Sequence, residues 1–77
     1  MVAVLPVISG REAIKGFEKA GWYIERRAKS RHIIMKKEGV KTTLSIPEHR
    51  VLDRGLLRSL IRDAYLSVAE FNELLKG

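Results

Sequence analysis

"RHIIMKKEGVKTTLSIP", residues 31 to 47, decides the fold. Ile33, Ile34 and Met35 form a short apolar run between charged residues, and Arg31 to Lys37 is predicted as a strand. Glu38-Gly39 supplies a hairpin turn, because glycine takes the positive φ that two-residue loops demand. Lys41 to Ile46 then alternates, with Thr42, Leu44 and Ile46 on one side and Thr43 and Ser45 on the other. This is a further strand, and Pro47 ends it because proline cannot donate to a ladder.

Upstream, Trp22 to Arg27 is rich in aromatics and alternates imperfectly, which makes it the first of three strands. Before it, Ser9-Gly-Arg-Glu12 has the form of a capping box. Ala13, Ile14, Phe17 and Ala20 recur at helical spacing and Gly21 follows as a stop, so a helix is predicted over about residues 10 to 20. Downstream, Asp53 can cap a helix from about Arg54, with Leu56, Leu57, Leu60, Ile61 and Ala64 on one stripe. Ser67-Val-Ala-Glu70 is a second capping box, opening a short helix with Val68, Phe71, Leu74 and Leu75 inward. The predicted order is αβββαα, an α+β fold. A three-stranded antiparallel sheet buries one face under the helices and leaves the other to water or a ligand. That topology is the double-stranded-RNA-binding-like one, although topology alone fixes no function.

At 77 residues the chain has room for one core, so a single domain over residues 1–77 is expected. A composition 45% hydrophobic and 31% charged is that of a folded protein rather than a disordered one. The absence of cysteine excludes a disulfide framework and a thiolate metal site. The apolar start "MVAVLPVISG" has no basic n-region and is about half the length of a signal peptide. It also falls short of the roughly 20 apolar residues that a membrane span requires, so a cytoplasmic location is expected.

The net charge of +6 is concentrated. Arg26, Arg27, Lys29, Arg31, Lys36, Lys37 and Lys41 fall within one window that holds a single acid, Glu38. A localised cationic surface attracts polyanions, most often nucleic acid. The plainer reading is a solvated basic strand that aids solubility.

"LPVISGREAIKGFEKAGW" (5–22), the basic strand, the serine-histidine element, the proline-ended third strand and "LDRGLLRSLIRDAYLSVAEFNELL" (52–75) together resemble the HicA (YcfA-like) toxin family. The resemblance runs from about Leu5 to Leu75. Its most specific part is Gly55, Leu57, Arg58, Ile61, Ala64, Ser67 and Phe71 in the family's order. It implies a small toxin that cuts mRNA without the ribosome and is masked by a HicB antitoxin. The family's second strand opens on Gly-Ser-His and a further polar residue, often histidine. Here Lys29 stands in the glycine slot, Ser30 in the serine slot, Arg31 in the first histidine slot and His32 in the second. Lysine for glycine is expected to restrict a turn that needs positive φ. Tyr65 replaces a glycine usual between the last two helices, a change read as structural.

Metal-independent RNA cleavage needs a base for the ribose 2′-hydroxyl proton and cations for the charge growing on phosphate. An imidazole suits the first role, since its ordinary pKa of about 6.5 leaves much of it neutral at pH 7. His32 is the group expected to act, with Lys29, Arg27, Arg31 and Lys36 as fixed cations. Arg26, Lys41 and Ser30 extend the expected RNA-binding set, Ser30 as turn former or phosphate contact. His49 either lines the same site or is an ordinary loop histidine. Of the adjacent Trp22 and Tyr23 only one can face the core. Trp22 is expected to pack and Tyr23 to be free for base stacking. Glu48-His49 alone is too little to hold a metal, and no cofactor motif is present. Three functions therefore compete: an endoribonuclease toxin, a non-catalytic RNA-binding module, and an interaction domain whose sheet receives an antitoxin. The pleat decides for His32: outward beside cations keeps the catalytic idea, inward against Leu60 or Phe17 ends it.

Overall fold

The computed structural model describes residues 3–77. Its elements are α1 (Gly10–Lys19), β1 (Tyr23–Ala28), β2 (His32–Lys36), β3 (Leu44–Pro47), α2 (Arg54–Asp63) and α3 (Val68–Lys76), with a tight turn at Lys29–Arg31. The order αβββαα is the one predicted, and the sheet is antiparallel with β2 in the middle.

Local chemistry explains the helices. Ser9 Oγ accepts from the Glu12 amide at 3.1 Å while the Glu12 carboxylate accepts from the Ser9 amide at 3.0 Å. Ser67 and Glu70 repeat the exchange at α3, at 3.0 and 2.8 Å. Asp53 caps α2 by accepting from the Leu56 amide at 3.1 Å. Both α1 and α2 end in the same six-residue closure: Trp22 N–H donates to Phe17 C=O, and Leu66 N–H donates to Ile61 C=O. The closing residue is Gly21 in α1 and Tyr65 in α2, both with positive φ.

The strand boundaries differ from expectation in two places. Trp22 is not in β1, because its amide is committed to the end of α1. The β2–β3 connection is also longer than a two-residue loop. Val40 N–H closes a turn on Lys37 C=O with Gly39 at φ 78°, but regular pairing resumes only at Leu44.

One face of the sheet, carrying Ile33, Met35, Leu44 and Ile46, is buried against Phe17, Leu57, Leu60, Ile61 and Phe71. Phe17 and Phe71 stack tilted with centroids 4.9 Å apart, tying α1 to α3. Both α1 and α2 lie over β3. The edge strand β1 is left largely uncovered, and Ile24 remains 47% exposed although it faces the helical side. Gly10 fixes how α1 meets the sheet. Its amide donates to His49 C=O at 2.9 Å, and a Cβ there would stand 2.0 Å from the Pro47 carbonyl oxygen.

Candidate functional site: an open sheet face and an arginine cleft

Register assigns each side chain of the basic segment to a face. Residues opposite one another in an antiparallel pair share a side, so Ile33 and Met35 define the inner face and His32, Ile34 and Lys36 the outer one. Tyr23 lies opposite Lys36, Arg26 opposite Ile34, and Ala28 opposite His32. A β-bulge between Ile24 and Arg26 inserts Glu25 and reverses the alternation after it. Without the bulge Arg26 would face inward and Arg27 outward. With it Arg26 joins the outer face, and Arg27, opposite Ile33, turns to the helical side.

His32 therefore points away from the helices. Its cross-strand neighbours are Ala28 and Pro47, neither of which carries a long side chain over the ring. The imidazole Nδ1 lies 3.0 Å from the Ser30 carbonyl oxygen. A carbonyl has no proton to give, so Nδ1 must carry the hydrogen, and in the neutral ring Nε2 is left as the acceptor. The Ser30 carbonyl is aimed at the ring by the turn. Ser30 and Arg31 have φ of 63° and 58°, two successive left-handed residues without a glycine. Lys29, in the slot expected to need positive φ, is not among the left-handed residues, so the lysine meets no such restriction.

The cations of the basic window do not form one uniform face. On the outer side Lys36 is paired with Glu25 at 2.7 Å and Arg26 with the same carboxylate at 3.5 Å. This contact holds the Glu25 carboxyl below its ordinary range and the Lys36 ammonium above its own. Glu25 sits one residue before the acid-poor window, so a count over that window misses the carboxylate that pairs with two of its cations. Lys29 is exposed in the turn and Lys41 is exposed in the β2–β3 connection. Neither makes an ion pair among the described residues. Tyr23 is 48% exposed on the outer face and Trp22 only 2% exposed. His49 is exposed in the loop after β3, its carbonyl bonded to Gly10.

Arg27 and Arg31 belong to a second feature, an open polar cleft of about 320 Å³ lined by Arg11, Arg27, Arg31 and Glu48. Both terminal nitrogens of the Arg27 guanidinium engage the Glu48 carboxylate oxygens, Nη1 closely and Nη2 at 3.5 Å. Arg11 Nε approaches the same group at 3.9 Å. The Glu48 amide donates to Arg31 C=O at 3.0 Å, which locks the turn onto the exit of β3. Sequence reasoning did not single out Arg11 or Glu48 for this role. Arg11 is brought in from α1 by the Gly10–Pro47 contact, and no local spacing signals that.

Residues 10–66 match the family model of the HicA toxin of bacterial toxin-antitoxin. The chain belongs to the HicA toxin family. The matched segment runs from the start of α1 through the end of α2, so His32, its turn and the whole arginine cleft fall inside it. The HicA match stops before α3, whereas the resemblance read from the sequence reached Leu75. No curated protein and no solved structure matches the chain. Among the described residues no group of three or more His, Cys, Asp or Glu could hold a metal ion. None of their helices is long and apolar enough to cross a membrane.

Proposed function

We propose that this HicA-family toxin is a ribosome-independent, metal-independent endoribonuclease acting on mRNA and held in check by a HicB-type antitoxin. The observation that carries the reading is His32 itself: outward-facing, its Nδ1 bonded to the Ser30 carbonyl and its Nε2 free. Nε2 takes the proton from a ribose 2′-hydroxyl. The 2′-oxygen attacks the adjacent phosphorus, and the 5′-oxygen leaves with a proton drawn from water. The products are a 2′,3′-cyclic phosphate and a new 5′-hydroxyl. The cations on the His32 side, Lys29 in the turn and Arg26 on the neighbouring strand, oppose the charge growing on the phosphate. Tyr23, exposed on the same face, offers a ring on which a base can stack.

One observation favours a second reading, a non-catalytic RNA-binding module on the same fold. The cross-strand neighbours of His32 are Ala28 and Pro47, so no second proton-transferring side chain stands directly beside the ring. Purified protein incubated with an end-labelled transcript separates the two. The ribonuclease reading expects cleavage that His32→Ala abolishes, with RNA affinity retained within about twofold, since the lysines and arginines supply the phosphate attraction. Equal affinity without cleavage by the wild type would establish the binding module instead.

A further inference from the structure

We infer that the Arg11–Arg27–Arg31 cleft is a phosphodiester-binding subsite, preorganised by Glu48, that grips the RNA strand away from the bond being cut. The inference deepens the ribonuclease reading and rests on it for the identity of the strand. It is carried by the charge balance of the cleft. Two guanidiniums, those of Arg11 and Arg27, approach one carboxylate, and Arg31 lines the same cleft. The Glu48 side chain is only 11% exposed, whereas those of Arg11 and Arg27 are 83% and 62% exposed. The anion is thus the anchor at the base and the cations are the rim. Arg27 is satisfied in a two-point contact, Arg11 touches the carboxylate only through Nε at 3.9 Å, and Arg31 has no carboxylate partner among the described residues. A clamp that served stability alone would need one arginine. The remaining fork of Arg11 and the whole of Arg31 are left for an external anion, and planar guanidinium forks suit two phosphate oxygens.

A local conflict points the same way. Arg11 stands in the first turn of α1, at the positive end of the helix dipole, where a cation is unfavourable. Glu48 offsets that only in part at 3.9 Å. Residues that break a local rule without full compensation mark functional positions. The cleft also lies on the helical side of the sheet, whereas His32 lies on the outer side, with the Lys29–Arg31 turn between them. Phosphates held in the cleft are therefore not the phosphate attacked beside His32.

The test uses a fluorescent 2′-O-methyl RNA decamer, which has the phosphates but no 2′-hydroxyl to react. Its affinity for the full chain is measured between 50 and 200 mM salt. Arg11→Gln is expected to weaken binding about tenfold at low salt, as befits one lost charged contact, and to flatten the salt slope by about 0.7. Arg11→Lys, which keeps the charge but not the fork, should fall between. Arg58→Gln, on the exposed side of α2, should match the wild type. Thermal midpoints and the emission of buried Trp22 confirm that each variant is folded. Arg11→Gln binding as tightly as wild type would overturn the cleft and leave the ribonuclease reading intact. A wild type that binds, loses affinity on Arg11→Gln, yet never cuts a natural transcript would sink the ribonuclease reading and sustain the cleft. Failure of the wild type to bind the decamer at low salt would remove both.

Discussion

Tyr65 closes α2 with φ 63°, a left-handed backbone that costs an L-residue about 1–2 kcal/mol. Its ring is 71% exposed, and its hydroxyl has only a long 3.4 Å contact to Thr42 Oγ1 to offset that cost. Tyr65→Gly should therefore stabilise the protein, by about 0.5–1 kcal/mol once the freedom of glycine in the unfolded chain is counted. The unfolding midpoint should rise by roughly 3–6 °C, and a scan showing no rise would mean the αL residue is unstrained. The departure from glycine at this position was visible in the sequence, and its positive φ followed from the helix closure around it. The left-handed pair Ser30-Arg31 was not visible, because neither residue type announces that conformation. What that pair adds is the aim of the Ser30 carbonyl at the His32 ring, which alternation along a strand does not specify.

The helical elements were legible because their signals are local. A capping box needs only four residues, and both boxes form as read. Ser9→Ala should cost about 1 kcal/mol by leaving a first-turn amide without its acceptor. The Glu12 carboxyl is held below its ordinary range, chiefly by the hydrogen bond from the Ser9 amide. A depressed folded pKa gives a contribution that is complete above the ordinary carboxylate range and is lost as the pH falls through the lowered folded value. In a carboxyl-carbon NMR titration Glu12 should protonate at a lower pH than in the denatured chain, and Ser9→Ala, which keeps the amide but removes the hydroxyl, should move it part of the way back up. Titration at the denatured-chain midpoint would mean that the box is open in solution. The strands were less legible. The inserted Glu25 is one residue with no sequence signature, yet it exchanges the faces of Arg26 and Arg27 and neutralises part of the outer surface. A bulge is settled by pairing with a distant strand, and no window along β1 contains that information.

At the scale of the whole molecule, Phe71 shows that the core extends beyond the matched segment. It lies in α3, is fully buried, and stacks on Phe17. Phe71→Ala removes a ring that nothing else can replace and should cost about 3–5 kcal/mol. That is most of the stability of a chain this small, so denaturant unfolding should begin near zero denaturant. A variant with a wild-type midpoint would mean that α3 is dispensable. The core was legible because apolar stripes repeat at fixed intervals. The arginine cleft was not, because Arg11, Arg27 and Glu48 come from α1, β1 and the exit of β3 and meet only when the chain is folded. Their placement has a consequence for the shape of any nucleic acid that uses the whole surface. To reach both the imidazole and the guanidiniums, the ligand must round the corner at Lys29–Arg31. Duplex DNA holds its direction over about 150 base pairs and resists so sharp a corner, while an unpaired strand swivels at each linkage. Under the proposed ribonuclease reading, the topography of this small domain favours floppy, unpaired strands over rigid helices before any base is read.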